Sequence, residues 1–226
     1  PGLPGRPDMT LASMGIYLFK ASFLKEVLER DAADRDSGHD FGSDLIPYLV
    51  PRARVFVHRF EKSCVRNPLR PESYWRDVGT VDAYWEANLD LTYAIPALNL
   101  YDSDWPIYSY IEALPSAKFV HSDPHRQGVA INSLVSAGCI VSGANVRQSV
   151  LFTNSRVHSH ARLEETLVLP NADIGEHARL RRAVVAPGVR VPEHLVVGED
   201  AEADAARFYR SASGVTLISQ RMLDPL

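Results

Sequence analysis

The heptad Tyr74–Thr80, YWRDVGT, holds the side chains best suited to chemistry in this chain. Asp77 lies in a predicted loop between an aromatic pair and Gly79, and magnesium prefers carboxylate oxygens as ligands. A metal held there would neutralise charge and align the groups in phosphoryl or nucleotidyl transfer. The alternative is a structural loop in which Arg76 and Asp77 pair with their neighbours. The heptad alone leaves both interpretations open.

Two further stretches place polar groups beside glycine. Ser13 and Gly15 in SMGIY offer a hydroxyl donor and close backbone access for a ligand. The favoured interpretation of the residues alone is a serine turn where a strand begins, because glycine often serves only the turn. Asp40 lies in the sequence HDFG, where a helix N-cap is favoured.

The histidines and arginines of the second half have less definite roles. His158 and His160 are two residues apart on a predicted strand and would share one face. A metal site needs three or four convergent ligands, so solvent-facing or interface histidines are favoured. Arg179, Arg181 and Arg182 form a basic group. It is either a solvated face or a phosphate-binding surface at a subunit or domain contact.

The elements that position the first-half residues mix strands and helices. Alternating and apolar residues predict strands over 13–19 and 54–60. Helices are predicted over 20–31, over 40–49 with Asp40 as its cap, and over 80–91 with Thr80 as its cap. The apolar face of the last helix holds Val81, Tyr84, Trp85 and Leu89. This part is too short for a complete doubly wound domain, so the second half of one is expected.

The second half is organised by one aliphatic residue every five or six positions, and each three successive steps sum to 17 residues. The series is Leu134, Ile140, Val146, Leu151, Val157, Leu163, Val168, Ile174, Leu180, Val185, Val191 and Val197. This period fits neither a helix nor a single strand. It is typical of a parallel β-helix, in which stacked three-sided coils bury one continuous core.

Between these parts, from Ile95 to Gln127, four prolines and no clear period predict a long linker with some short strands. The predicted domains are therefore 1–94, a linker over 95–128, and a β-helix over 129–226. A short helix over 199–209 and a strand over 215–218 are expected to close the end of the β-helix.

Composition narrows the class of protein. The 226 residues carry a net charge of −4, which gives no indication of a nucleic-acid partner. The sequence has no apolar run of membrane-spanning length, and its start lacks the features of a signal peptide. Cys64 and Cys139 are two distant cysteines, as expected of reduced thiols in a cytoplasmic protein. No GxSxG, P-loop or HExxH motif is present in the sequence.

Taken in order, several stretches resemble bacterial glucose-1-phosphate adenylyltransferase over nearly all of the chain. They are LASMGIYLF, HDFGSDLIP, YWRDVGTVDAYWEANLDL, Trp105-Pro106-Ile107, Ala117–Val120, NSLVSAGCIVSGA and GEDAEADAARFYRS. The resemblance implies a Rossmann-like nucleotidyltransferase domain, here its C-terminal part, followed by a left-handed parallel β-helix. It implies transfer of AMP from ATP to α-D-glucose 1-phosphate, giving ADP-glucose and pyrophosphate for glycogen synthesis. A homotetramer under allosteric control is also implied.

The resemblance also assigns site residues. It implies that Ser13 and Tyr17 line the glucose 1-phosphate pocket, with Asp40, Phe41 and Trp75 beside them. Asp77 becomes one of two carboxylates that hold the catalytic Mg²⁺.

Other parts of the family's site do not occur in this sequence. The family's glycine-rich ATP loop, its other metal-binding aspartate and its Glu-Lys sugar-phosphate pair belong to its N-terminal half, so this chain alone is expected to be inactive. Pro187 stands where enteric members carry an arginine of the AMP site, and those members extend past this C-terminus. A sugar phosphate or pyruvate is therefore the expected activator, with an AMP-type inhibitor.

Two other functions fit parts of the sequence. A non-catalytic regulatory subunit could share the same two-domain plan, although Asp77 argues against a degenerate site. A β-helix acyltransferase would need a catalytic histidine at a coil edge and a cofactor groove between subunits, for which the first-half motifs give no reason.

Overall fold

A computed structural model of the chain describes residues 5–64, 73–104 and 106–224. Trp105, part of one family-like stretch, lies outside the described residues. The chain forms two compact units, Pro1–Lys62 and Ser63–Leu226. Among the described residues, no helix has the length and apolar character needed to cross a lipid bilayer. The predicted boundaries at 94 and 128 stay predictions.

The first unit is built around short helices, as the apolar spacing predicts. Helix α1 is Ala21–Ala33, and a π-helical turn, Phe41–Leu45, runs directly into α2, Ile46–Leu49. A 3₁₀ turn follows at Phe60–Lys62. Val27, Leu45 and Leu49 form the small core of this unit, with phenylalanine and tyrosine rings packed around it.

The strands predicted over 13–19 and 54–60 are wrong for the described chain. Neither segment lies in a sheet, and Phe60 already belongs to the 3₁₀ turn. Their apolar side chains are largely exposed, with Ile16 at 76% and Phe56 at 84% of full exposure. A β-strand is completed only by a partner that accepts and donates its backbone hydrogen bonds, and the described residues supply none here.

The second unit opens with helix α3, Val81–Asp90, which Thr80 caps through its side-chain oxygen and the amide of Ala83, 3.1 Å apart. Most of this unit is a parallel β-helix, as the regular spacing of aliphatic residues predicts. Its strands, with the antiparallel hairpins β2–β3 and β17–β18, are β1 Lys118–Val120, β2 Ser122–Asp123, β3 Arg126–Gln127, β4 Val129–Ile131, β5 Leu134–Val135, β6 Ile140–Ser142, β7 Asn145–Arg147, β8 Val150–Leu151, β9 Arg156–Val157, β10 Arg162–Glu164, β11 Leu167–Val168, β12 Asp173–Ile174, β13 Arg179–Arg181, β14 Ala183–Val185, β15 Arg190–Val191, β16 Val196–Val197, β17 Tyr209–Arg210 and β18 Thr216–Ile218.

The coils stack their strands into three parallel faces. The first face is β1-β6-β9-β12-β15, and the second is β4-β7-β10-β13-β16. The third is β5-β8-β11-β14-β18, extended by the antiparallel β17. From β4 to β16 and in β18 the strands send an aliphatic or alanine side chain inward, and these residues form one continuous core that no single coil could bury.

The first two inward positions of the predicted aliphatic series, Leu134 and Ile140, are off by one residue. Val141, not Ile140, aligns with Val157 and is fully buried, whereas Ile140 aligns with Arg156. Likewise Val135 aligns with Leu151, while Leu134 aligns with Val150 on the outer side. The physical reason is that the first coil advances 16 residues, as from Val141 to Val157, and the later coils 17, as from Val157 to Ile174.

The corners of the coils are made by residues with positive φ. One corner repeats at Asn132, Gln148, Glu165 and Arg182. Another holds Gly143, His160, His177 and His194, and a third holds Gly138, Asn154, Asn171 and Gly188. Successive residues of one corner lie one coil apart, so their side chains stack above one another along the β-helix.

Helix α3 covers the outer side of the third face. Trp85 and Leu89 pack against Val150, Leu167 and Val184. Val81 and Tyr84 join the same cluster, so the predicted apolar face of this helix is confirmed.

The last coil is closed by the C-terminal segment. Helix α4, Ala201–Arg207, leads through β17 to β18, and α5, Gln220–Leu223, follows. Phe208, Ile218 and Leu223 pack into the β-helix core. The sequence therefore predicts the closing elements correctly.

Candidate functional site

A cavity of about 600 Å³ in the first unit brings together four of the six predicted site residues. It is lined by Ser13, Gly15, Tyr17, Phe19, Leu24, Asp40, Phe41 and Gly42. Two segments supply this lining: residues 13–24, which comprise the chain before α1 and the first turn of that helix, and the turn that opens the Phe41–Leu45 helix. A cavity of this volume accommodates a small metabolite.

Ser13 and Tyr17 are joined by a hydrogen bond between their hydroxyl groups, 3.0 Å apart. The Ser13 hydroxyl also accepts the amide of Gly15 at 3.2 Å, so the predicted serine turn is present. Gly15 has a φ of +73°, a left-handed conformation that side chains with a Cβ rarely adopt. The turn directs two hydroxyl groups to one wall of the cavity.

Aromatic rings form a second wall. The Tyr17 and Phe41 rings stack with centroids 5.8 Å apart and planes 17° from parallel. Phe19 lies against Phe41 in a tilted arrangement at 6.0 Å. Flat apolar surfaces next to hydroxyl groups suit a ligand with one apolar and one polar face, such as a sugar ring.

Asp40 has the cap role predicted for it and also lines the cavity. One of its carboxylate oxygens accepts the amide of Ser43 at 2.7 Å. This hydrogen bond, with further ones from Ser43 and Gly42, lowers the pKa of Asp40 below its usual 3.8. An ionised carboxylate has several acceptor sites, so Asp40 retains acceptor capacity for ligand hydroxyls.

Asp31 supports the turn that carries Asp40, a role that the sequence did not reveal. Its carboxylate accepts the Ser37 hydroxyl at 2.7 Å and contacts Nδ1 of His39 at 2.8 Å. These bonds, led by that from His39, lower the pKa of Asp31. His39 has a φ of +57°, so Asp31 stabilises an unfavourable backbone conformation directly before Asp40.

Trp75 and Asp77 lie in the second unit. Both are exposed, Trp75 at 45%, and their loop leads into the capped start of α3. The neighbouring Tyr74 is partly buried, and that burial raises the pKa of its hydroxyl. The described structure thus groups Ser13, Tyr17, Asp40 and Phe41 within the first unit, and Trp75 and Asp77 share one loop of the second unit.

The Asp77 carboxylate is chemically suited to be one of the protein ligands of a magnesium ion. Within 5–64, 73–104 and 106–224, no cluster of three or more His, Cys, Asp or Glu side chains could hold a metal ion. Magnesium in phosphate-transferring sites keeps several waters and uses one or two carboxylates with substrate phosphates. One exposed carboxylate on a loop fits that pattern as a partial donor set.

The histidine pair does not share a face. His158 follows β9 and contacts Asp173 at 2.7 Å. His160 lies at a coil corner with a φ of +63°, and its ring stacks on His177 at 4.7 Å, as His177 stacks on His194 at 4.8 Å. The prediction failed because the strand ends at Val157, so the alternation of side chains along a strand stops before His160.

The three arginines do not form one patch. Arg179 and Arg181 flank the inward Leu180 on the second face and form exposed ion pairs with Glu199 and Glu164. Arg182 lies at the next corner and covers the Trp85 ring, with its guanidinium carbon 4.6 Å from the ring centre. For Arg179 and Arg181 the choice between solvated face and phosphate contact stays open.

Two known family models match successive stretches of the chain. A family model described as "Nucleotidyl transferase" matches residues 4–93, and one described as "GlmU-like, C-terminal hexapeptide" matches residues 115–218. The predicted fold class, a nucleotidyltransferase domain followed by a β-helix, is therefore confirmed. The handedness of the β-helix stays a prediction.

Similar proteins extend over the entire chain. A glucose-1-phosphate adenylyltransferase of Granulibacter bethesdensis is 59% identical over all 226 residues, which make up 54% of that relative. Proteins of the same name from Rhizobium meliloti and Mesorhizobium japonicum are each 56% identical over the same extent. The chain thus spans about half the length of the curated relatives it matches.

Proposed function

We propose that this chain, which is 59% and 56% identical over all 226 residues to two proteins named glucose-1-phosphate adenylyltransferase, forms part of an enzyme that transfers AMP from ATP to α-D-glucose 1-phosphate. The products are ADP-glucose and pyrophosphate. The observation that carries the proposal is the cavity that gathers Ser13, Tyr17, Asp40 and Phe41 in a chain with this similarity.

The cavity is suited to the sugar end of glucose 1-phosphate. The hydroxyls of Ser13 and Tyr17 and the ionised Asp40 can exchange hydrogen bonds with sugar hydroxyls. The Tyr17 and Phe41 rings offer an apolar surface to the ring's C–H face. None of the side chains named in its lining is cationic, so the phosphate is expected to bind groups beyond this cavity.

In the proposed reaction, a phosphate oxygen of glucose 1-phosphate attacks the α-phosphorus of ATP, and the bond to pyrophosphate breaks. Mg²⁺, when bound, supplies charge neutralisation at these phosphates. Asp77 would hold that ion through its carboxylate, and Trp75 on the same loop would lie beside the sugar. These two roles rest on the family resemblance together with the exposure of both side chains.

We further propose that the ADP-glucose serves glycogen synthesis in the cytoplasm and that the enzyme is a homotetramer. Cys64 and Cys139 form no disulfide, which supports a reducing compartment. The proposed regulators are a sugar phosphate or pyruvate as activator and an AMP-type inhibitor. Neither a nucleic-acid partner nor a membrane has a part in this function.

The proposal is tested by Asp77→Asn in the full-length protein, with ADP-glucose formation measured from ATP, magnesium and glucose 1-phosphate. Loss of a metal carboxylate is expected to reduce kcat by about a hundredfold or more. Asp104→Asn, which removes an exposed carboxylate from the linker, is the matched control and should retain full activity.

The outcomes separate the rival functions. Full activity of Asp77→Asn would leave Asp77 a structural loop residue. If neither the unsubstituted protein nor the Asp77→Asn variant formed ADP-glucose, a regulatory subunit would be favoured. A parallel assay with acetyl-CoA tests acyl transfer, for which the corner histidines His160, His177 and His194 would be the candidates; no acetylation is expected.

A further inference from the structure

Helix α3 is fixed to the β-helix by polar contacts that form a second layer around its apolar packing. The indole N–H of Trp85 donates to the backbone oxygen of Glu165 at 2.7 Å. Arg182 covers the Trp85 ring, pairs with the Glu165 carboxylate at 3.3 Å and donates to the backbone oxygen of Ser213 at 3.2 Å. These contacts connect the middle of α3 to one coil corner.

The first turn of α3 has an attachment of its own. Both carboxylate oxygens of Asp82 accept hydrogen bonds, one from the Ser211 hydroxyl and one from the Ser213 hydroxyl, the latter at 2.9 Å. The two serines belong to the turn between β17 and β18, which hydrogen bonds from Ser211 to Val215 and from Gly214 to Ser211 hold closed. Asp82 therefore joins α3 to the segment that closes the β-helix.

This attachment lies next to the loop that carries Asp77. Only Val78 and Gly79 separate Asp77 from the cap residue Thr80, and Asp82 is two residues further on. The three residue steps from Thr80 to Asp77 span at most about 11 Å, so a fixed first turn limits where the Asp77 carboxylate can lie. If the first turn frayed, the loop would gain freedom even with Trp85 still buried.

We infer that Asp82 is a positioning residue, which holds the start of α3 on the Ser211–Val215 turn and so fixes the Asp77 loop relative to the β-helix. The inference rests on the proposed function for the metal-binding role of Asp77, whereas the anchoring is a property of the described structure alone. The Asp82 contacts lie at the edge of the helix, with Ser213 exposed. Their loss should therefore affect the loop more than global stability.

The test removes the attachment from each side in the full-length protein. Asp82→Asn weakens both hydrogen bonds, and Ser213→Ala removes one without changing the charge of the helix. Glu86→Gln is the matched control, because Glu86 is an exposed acid on the same helix. If the two residues act through one contact, the double variant Asp82→Asn/Ser213→Ala should differ from the sum of its single variants.

The first readout does not depend on activity. Trypsin cleavage after the exposed Arg76 should become faster when the Asp77 loop is more mobile, and cleavage after Arg35, in the exposed loop that follows α1, serves as an internal reference. Asp82→Asn and Ser213→Ala are expected to raise the ratio of Arg76 to Arg35 cleavage by about threefold or more. Glu86→Gln should leave it unchanged, and general destabilisation would raise cleavage at both sites.

The second readout is the magnesium concentration for half-maximal ADP-glucose formation. It should rise about three- to tenfold in Asp82→Asn and Ser213→Ala and stay unchanged in Glu86→Gln. An unchanged cleavage ratio, or equal changes in Glu86→Gln, would overturn the inference. A raised ratio without a change in magnesium requirement would overturn the positioning role.

The two proposals can fail separately. If the unsubstituted protein forms no ADP-glucose but the cleavage ratio rises, the proposed function is wrong and the anchoring of the loop stands. If ADP-glucose forms and the cleavage ratio stays constant, the proposed function stands and the inference is wrong.

Discussion

The geometry of the cavity lined by Ser13, Tyr17, Asp40 and Phe41 depends on Asp31, which does not itself line the cavity. It is 5% exposed, and its carboxylate holds Ser37 and His39 on the turn before Asp40. Because His39 has a positive φ, the turn needs an interaction that offsets its strain. The position of Asp40 in the cavity therefore depends on a carboxylate at the end of α1.

Asp31→Asn in the full-length protein should raise the KM for glucose 1-phosphate several-fold and change kcat little, since the turn shifts but the reacting groups remain. Asp34→Asn is the control, because Asp34 is a half-buried neighbour whose carboxylate pairs with Arg30 at 3.6 Å and accepts the Asp36 amide at 3.1 Å. Steady-state kinetics measure both variants. An unchanged KM in Asp31→Asn would show that Asp40 holds its place unaided.

The Asp31 carboxylate also makes the stability of the protein depend on pH. The folded-state pKa of Asp31 lies below its usual 3.8, so its contribution is present above that value and is lost as pH falls through the lowered pKa. The difference in urea midpoint between the unsubstituted protein and Asp31→Asn should persist above pH 3.8 and shrink below it. A difference that grew towards acid pH would contradict the lowered pKa.

Residue roles that depend on neighbours in the sequence could be predicted, and those that depend on distant ones could not. Thr80 and Asp40 were recognised as helix caps because a cap is a local pattern. The role of Asp82 was not, because Ser211 lies 129 residues away along the chain. The cavity likewise needs two segments whose approach no local pattern encodes.

At the scale of elements, the period of aliphatic residues predicts the β-helix because every coil repeats the same inward position. The period gives the register only while the coil length is constant. In the first coil, Ile140 and Val141 are both aliphatic, so residue type could not reveal the 16-residue step. Strands over 13–19 and 54–60 were predicted from residue type alone, which does not specify a partner strand.

The register can be tested with two adjacent residues of the first face. Val141 is fully buried, whereas Ile140 aligns with Arg156 on the outer side. Val141→Ala should lower the free energy of unfolding by about 2 kcal/mol, because it leaves a cavity in the core. Ile140→Ala should cost less than about 1 kcal/mol although it removes the larger side chain.

Urea denaturation with equal m-values for both variants gives these free energies. A larger loss of stability for Ile140→Ala would indicate that Ile140 points into the core and that every coil advances 17 residues. Equal losses in the free energy of unfolding would indicate that Ile140 and Val141 are both partly buried.

At the scale of the second unit, a β-helix must end, and its last coil would otherwise expose both core side chains and unpaired strand edges. Phe208 at the end of α4 and Ile218 in β18 cover this end. The closing segment also carries Ser211 and Ser213, which bond to Asp82. Closure of the β-helix and attachment of α3 therefore use the same hairpin.

Phe208→Ala is expected to open this end. Phe208 is 5% exposed and packs into the core, whereas the adjacent Tyr209 is 51% exposed. The Phe208 substitution should cost about 3–5 kcal/mol and produce concentration-dependent association, because uncovered strand edges pair with other chains. Tyr209→Ala, the control with the same class of side chain, should cost about 0.5 kcal/mol or less. Urea denaturation measures the loss of stability, and light scattering over a range of protein concentrations measures the association. If Phe208→Ala were as stable and as monodisperse as Tyr209→Ala, other residues would close the last coil.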